Sequence, residues 1–301
     1  VGSGSHGLQT GRMLIGIEDV LKRERPDVAL VQGDTNTALA GALAAVKLRI
    51  SVGHVEAGLR SYDRSMPEEI NRLLADHCSD LLFAPTVKAK QILLGEGIPE
   101  SRVYVTGNTV VDALYRNLRL AEKRSEVLNS LGLEKRKFFL VTVHRQENVD
   151  DKERFSKILE GLELVHERFG FPIVYPVHPR AAKRMREFNL KPKGIRLIDP
   201  LDYLSFLLLE SCARLVLTDS GGVQEETCIL QVPCVTLRYN TERPETLEIG
   251  SNILAGAEPN VIVEKTEFML KRRHDWPNPF GDGKAGIRIT KILIDEFGEN
   301  R

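Results

Sequence analysis

The stretch L-V-L-T-D-S-G-G-V-Q-E-E, Leu215 to Glu226, decides the fold. Leu215 to Thr218 are apolar or β-branched and read as a buried strand, which runs into Ser220-Gly221-Gly222. A helix is predicted from about Val223, ending before Pro233. A strand that feeds a glycine turn and opens a helix builds an anion site. The glycines admit close approach of the backbone, and the first free N–H groups and the positive end of the helix dipole point at the ligand. Ser220 adds a hydroxyl donor, and Glu225 and Glu226 fall early in the helix, where a carboxylate accepts hydrogen bonds from a sugar diol. Together these parts suit a diphosphate bearing a ribose. The same residues also fit an ordinary tight strand–helix turn. The pattern is neither G-x-G-x-x-G nor G-x-x-x-x-G-K-[ST], so it does not call for NAD or ATP.

Outward from this stretch the chain alternates strand and helix. Upstream, strands are predicted at 138–143, 173–177 and 195–198, with a helix over 152–169; downstream come a strand at 235–237, the polar loop Arg238 to Glu245, and a closing helix near 284–297. The first half repeats the alternation. It has a helix over 10–24 closed by Pro26, a strand at 28–31, an Ala-rich helix to about Leu48 and a strand at 51–55. A helix opened by Pro67 and strands near 80–84 and 102–106 follow. One long helix is predicted from Val110 to about Leu131. Such alternation gives an α/β fold of parallel sheets with helices on both faces. Ligands of these sheets lie beyond the carboxyl ends of the strands. Asp34, Glu56, His144, His178, Ser220 and Arg243 all follow strand ends, which predicts one shared cleft.

Bulk properties exclude several classes. A chain of 301 residues accommodates two α/β domains. Lys+Arg and Asp+Glu number 42 each, so no net charge draws the protein to nucleic acid or an anionic membrane, and any anion must be held by local groups. Lys47 and Arg49 interrupt the longest apolar segment, and no signal-peptide pattern opens the sequence. Cys78, Cys212, Cys228 and Cys234 form no C-x-x-C pair and read as reduced thiols of a cytoplasmic protein.

The polar strand ends also have simpler readings. Asp34 fits an N-cap, Glu68 a dipole partner at a helix start, and Thr241 to Glu245 a solvated turn. His54 and Glu56 share a strand face in i, i+2 spacing, but two ligands without a third do not make a metal site, and none is expected.

Eight blocks in order resemble the non-hydrolysing UDP-N-acetylglucosamine 2-epimerases. They are Gly33-Asp34-Thr35, Gly53 to Arg60 (GHVEAGLR), Pro67-Glu68-Glu69-x-Asn71-Arg72, Thr106 to Leu114 (TGNTVVDAL), His144-Arg145-x-Glu147-Asn148, Tyr175-Pro176-Val177-His178, Asp219 to Glu226, and Thr241 to Glu245. The resemblance implies two Rossmann-like domains facing across a cleft, a GT-B-like architecture. The first would cover 1–115, joined by the C-terminal helix 284–301, and the second, binding UDP, 116–283. It implies Asp34, Glu56 and Glu68 at the sugar and His144 near the phosphates as the catalytic set. Ser220, Gly221 and Gly222 would contact phosphate, Glu226 the ribose, Arg243 would be a cation at the cleft, and Leu201 and Phe206 would hold the uracil. Arg12 and His178 match a regulatory site in bacterial members. UDP-N-acetylglucosamine and UDP are the implied ligands, with no cofactor, and a homodimer is expected. The family begins with a strand and a Gly-Thr-Arg-Pro-Glu loop that supply an arginine and a lysine; this sequence begins at Val1 without them and is expected to be truncated at its N-terminus.

The implied activity is reversible epimerisation at C2 by elimination of UDP to 2-acetamidoglucal and re-addition. Carbon 2 has no neighbouring ring carbonyl to acidify its proton, so elimination is more accessible than direct deprotonation. Inversion needs acid/base groups near both faces of one carbon, which suits several carboxylates. A glycosyltransferase of the same architecture, a hydrolysing epimerase and a nucleotide-sugar sensor without chemistry remain as alternatives.

Overall fold

The computed structural model describes residues 4–298, so the last three residues of the C-terminal helix expected over 284–301 lie outside the described residues. By its internal contacts the chain divides into two compact units, one of residues 1–112 with 280–301 and one of residues 113–279.

The first unit runs α1 (His6–Glu24), β1 (Val28–Gln32), α2 (Asn36–Lys47), β2 (Ser51–Val55), α3 (Pro67–Cys78), β3 (Leu81–Ala84), α4 (Val87–Gly95) and β4 (Val103–Val105). α5 (Thr109–Arg124) then carries the chain across the boundary between the units. The four strands form one parallel sheet in the order β1-β2-β3-β4. Their helical crossovers explain why these strands are apolar on both faces: β3 is buried along its whole length. On one side Ala38, Ala42, Ala44 and Ala45 of α2 pack with Val31 and Val52. The small alanines let α2 lie close to the sheet.

The second unit continues with α6 (Val127–Ser130), β5 (Phe139–Thr142), α7 (Gln146–Val149), α8 (Lys152–Phe169), β6 (Ile173–Pro176), α9 (Pro179–Phe188), β7 (Ile195–Ile198), α10 (Tyr203–Cys212) and β8 (Leu215–Thr218). It ends with α11 (Gly221–Ile229), β9 (Cys234–Thr236), α12 (Pro244–Glu248), β10 (Asn252–Leu254) and α13 (Pro259–Lys271). The last helix, α14 (Ala285–Phe297), belongs to the first unit: its Ile289, Ile292, Leu293 and Phe297 pack on Val55, Leu81 and Phe83. The Asp112 carboxylate accepts the first N–H groups of α14, from Ala285 at 3.1 Å and Gly286 at 3.0 Å.

The second sheet is parallel, in the order β10-β9-β8-β5-β6-β7. This is a doubly wound order. From β5 the chain steps to β6 and β7 on one side, then returns to β8 and moves outward to β9 and β10. The crevice at the carboxyl ends of β5 and β8 is therefore the switch point where such sheets take ligands.

Two elements differ from their sequence reading. The long helix predicted over 110–131 breaks after Arg124: the Ser125 hydroxyl accepts the Val127 N–H at 3.4 Å, offering the backbone an alternative to the next helical turn. α11 starts at Gly221 rather than near Val223, because the Ser220 hydroxyl already caps it by accepting the Val223 N–H. Both glycines thus sit inside the first turn. Among the described residues no helix is long and apolar enough to cross a membrane.

Candidate active site

In the first unit the acidic residues sit at the carboxyl ends of β1 and β2 and at the start of α3. Asp34 follows β1 through Gly33, whose φ of +70° the left-handed region permits without a Cβ penalty. Asp34 is not the N-cap of α2. Thr35 takes that place, accepting the Ala38 N–H at 3.2 Å, so the Asp34 carboxylate is left for other work. Arg72 of α3 grips it, with Nε at 3.0 Å and Nη2 at 2.8 Å from Oδ2, and Asn71 Nδ2 donates to the Asp34 carbonyl at 2.8 Å. The Arg72 guanidinium is buried and its Nη1 also reaches Glu69 at 2.6 Å.

Glu69 in turn accepts the backbone N–H groups of Ser61 and Tyr62 at 2.9 and 3.0 Å, fixing the loop before α3. Burial opposes its charge, but these backbone donors, Arg72 and the Ser61 hydroxyl hold its carboxyl below the ordinary range. Glu69 is therefore committed to structure, whereas Glu68 beside it is only half-buried in the first turn of α3. Glu56 directly follows β2 with φ of +70°, a left-handed conformation that is costly for a residue with a long side chain. Gln32 Nε2 donates to its Oε1 at 2.8 Å.

His54, whose sequence spacing raised a metal site, is enclosed. Its Nδ1 meets Asp76 Oδ1 at 2.6 Å and its Nε2 meets the Gly33 carbonyl at 2.9 Å. Two acceptors on one ring require the doubly protonated form. Burial opposes that charge, yet the Asp76 carboxylate outweighs it and raises the His54 pKa. Asp76 also meets Arg60 at 2.7 Å. The enclosed network thus fixes the carbonyl just before Asp34.

In the second unit the switch point is built around buried Asp219 at the end of β8. Its carboxylate accepts the backbone N–H groups of His144 and Arg145, at 3.0 and 2.9 Å, and Asn148 Nδ2 at 3.0 Å. One acid thereby ties the loop after β5 to the turn after β8. His144 Nδ1 lies 3.4 Å from Asp219 Oδ1. Burial, with help from His178 and Arg145, lowers the His144 pKa despite Asp219, so the ring is neutral at pH 7. His178, exposed at the start of α9, places its ring 5.4 Å from that of His144.

A Cβ on Gly221 would lie 2.2 Å from Glu242 Oε1, so a larger residue there would have to displace a carboxylate that is paired with Arg145 and Arg238. Gly222 is exposed, and a Cβ there would meet nothing nearer than Ser220 Oγ at 3.9 Å. The helix start is therefore uncrowded around Gly222. Arg243 is buried and pairs with Glu225 at 2.8 Å, so its charge is largely answered within the protein. Glu226 lies on α11 and accepts the Tyr203 hydroxyl at 2.8 Å. Leu201 and Phe206 are half-buried against the apolar cluster under α10. Arg12 is exposed on α1. Separately, a groove of about 910 Å³ runs between α9 and β7, lined among others by Val177, Met185, Leu190, Leu197 and Pro200; none of the predicted site residues lines it.

Sequence reasoning passed over Arg72, Asn71, Glu69 and Asp219 as individual actors. Arg72 stands i+3 from Glu69 and i+4 from Glu68 on one helix, a signal for pairing that does not reveal the more distant Asp34.

A doubly wound sheet with polar groups gathered at its switch point and an open glycine turn defines a Rossmann-like, nucleotide-binding class of protein. The comparisons narrow the class. The model of the family described as UDP-N-acetylglucosamine 2-epimerase matches residues 1–294. The UDP-N-acetylglucosamine 2-epimerase of Methanocaldococcus jannaschii is 56% identical over 301 aligned positions, covering 97% of this chain and 82% of that protein. The enzyme of the same name from Methanococcus maripaludis is 53% identical over 308 positions, covering 100% of this chain and 83% of its own length. The crystal structure of the M. jannaschii protein with UDP-GlcNAc and UDP superposes with a TM-score of 0.92, covering 98% of this chain and 83% of that one. The chain belongs to the UDP-N-acetylglucosamine 2-epimerase family.

Proposed function

We propose that the protein interconverts UDP-N-acetylglucosamine and UDP-N-acetylmannosamine by eliminating UDP and adding it back. The observation that carries the reading is the open turn at Gly222 and Ser220, which heads a capped helix at the switch point of the second sheet beside neutral His144. Such a turn accepts a diphosphate through backbone N–H groups in both the intact sugar nucleotide and free UDP. Asp34, Glu56 and Glu68 of the first unit act on the sugar. A carboxylate takes the C2 proton, the C1–O bond breaks, and its electron pair leaves with UDP, giving 2-acetamidoglucal. In the return step UDP oxygen attacks C1 while a second acid delivers a proton to the opposite face of C2. The helix N-terminus and His144 stabilise the leaving diphosphate, and the carboxylates the electron-poor C1. Glu226 holds the ribose, and Leu201 and Phe206 the uracil.

Proton NMR of UDP-N-acetylglucosamine with the protein in D₂O tests this. Deuterium at C2 in an intact nucleotide sugar, together with the manno epimer, is expected. Release of free N-acetylmannosamine points to the hydrolysing reaction, absence of exchange without an acceptor sugar to a transferase, and binding without any turnover to a sensor. A homodimer is part of the same reading, checked by sedimentation. So is regulation by a second substrate molecule near His178 and Arg12, and a strictly hyperbolic rate curve counts against it. A cytoplasmic location, where nucleotide sugars are made, also belongs to this reading and is checked by cell fractionation.

A further inference from the structure

Helices α10 and α11 bring together three polar side chains whose contacts go beyond a single ribose ligand. Tyr203 opens α10, and Glu210 follows two turns later on the same face. Between them in space lies Glu226 of α11, which accepts the Tyr203 hydroxyl at 2.8 Å. Glu210 is fully buried, and neither of its carboxyl oxygens receives a hydrogen bond from a donor among the described residues. Among the described residues the side chain that acts on it, through charge and through a hydrogen bond, is that of Glu226. Two carboxylates in contact inside a protein cannot both be ionised, so one must carry a proton and donate it to the other.

We propose that Glu210 is a positioning residue: a neutral carboxylic acid that donates a hydrogen bond to Glu226 and, with the Tyr203 hydroxyl, fixes that carboxylate to accept the two hydroxyls of a nucleotide ribose. The proposal rests on the reading of Glu226 as the ribose ligand. Assignment of the proton follows from the surroundings. Burial first, then the charge of Glu226, pushes Glu210 well above the ordinary carboxylate range. Burial also raises Glu226, but the hydrogen bonds from Tyr203 and Glu210 work to lower it. The remaining titratable groups facing the pair do not compete. Burial, with the charge of Glu226, raises the Tyr203 hydroxyl, and burial pushes the Cys234 thiol on β9 up to about 12. The arrangement has two effects on binding. It spares the carboxylate the loss of rotameric freedom on meeting the ribose. It also leaves one negative charge rather than two near an incoming diphosphate.

Glu210→Gln, Glu210→Leu and Glu226→Ala test it by UDP calorimetry and infrared spectroscopy. Glu210→Gln is expected to bind UDP as the native protein does, since its amide N–H replaces the acid O–H. Glu210→Leu is expected to bind about tenfold more weakly, the loss of one hydrogen bond to a charged group. At neutral pH the native protein should show the C=O stretch of a protonated carboxyl, displaced in D₂O and absent from Glu210→Gln. Persistence of that band in Glu210→Gln overturns the proposal, even if Glu210→Leu does not fold. So does native affinity in Glu210→Leu, or a Gln variant as weak as the Leu variant. If Glu226→Ala and 2′,3′-dideoxy-UDP with the native protein both lose affinity in those cases, the ribose reading stands without the proton sharing. If neither loses affinity, the ribose reading falls and this proposal with it.

Discussion

Glu56 holds its place at the end of β2 against its own backbone preference, with φ of +70° and a hydrogen bond from Gln32. Strain of this kind costs on the order of 1–3 kcal/mol and persists where the side chain is needed. Glu56→Gly should therefore be no less stable than the native chain, gaining up to about 1 kcal/mol in a denaturant melt, while turnover collapses. A clear loss of stability would show that the carboxylate is a structural anchor instead. The same logic separates the three proposed acids from the nucleotide contacts. Asp34→Asn, Glu56→Gln and Glu68→Gln should each lower kcat by about 10²–10⁴-fold and leave UDP affinity, measured by calorimetry, unchanged. Weakened UDP binding with unchanged turnover per bound enzyme would remove them from the chemistry. Asp34 and Glu56 were legible because carboxylates at strand ends of parallel sheets are conspicuous. The hold of Arg72 on Asp34 was not, since it joins residues far apart in sequence through a fold that periodicity does not specify.

At the scale of elements, α11 and β2 carry two separable roles. Gly222→Ala adds a methyl group that meets no protein atom nearer than 3.9 Å, so thermal stability should hold or rise slightly. If a diphosphate lies against this first turn, the same methyl occupies its path, and UDP affinity should fall by about tenfold or more. Native affinity would move the phosphate elsewhere. β2 presents His54 to Asp76, and the sign of its pH effect is fixed by the raised folded pKa. The folded chain holds a proton that the unfolded chain releases above 6.5, so this stabilisation is full below 6.5 and lost as the pH rises through the folded value. His54→Gln should cost about 3 kcal/mol at pH 6, and its stability should fall less than the native protein's on the alkaline side. An equal alkaline decline in both would show that His54 is not charged when folded. The sequence disclosed both strands through their apolar runs and α11 through its glycine turn. It did not disclose the break after Arg124, because the competing hydroxyl of Ser125 acts on a single turn within an otherwise helical pattern.

For the whole molecule, alternation of apolar strands with helical periods was enough to specify parallel sheets, because a crossover helix covers each face and leaves no room for polar alternation. Strand order was not in the pattern. It depends on which strands each crossover joins, and the return from β7 to β8 that creates the switch point is a property of the folded sheet. The division of the chain gives the proposed function a test that needs no substitution. The proposed diphosphate and ribose contacts all fall within residues 113–279, and the three acids proposed to act on the sugar all fall within 1–112. A ligand protects from amide exchange the segments whose opening it opposes, by about 2.7 kcal/mol at a hundredfold excess over its Kd. UDP alone should therefore slow exchange around 142–149 and 218–230. The intact nucleotide sugar should add protection around 33–36, 56–62 and 66–72. Equal protection of the second set by UDP alone would mean that the acids respond to the nucleotide rather than to the sugar. Absence of protection there with either ligand would take Asp34, Glu56 and Glu68 out of the reaction.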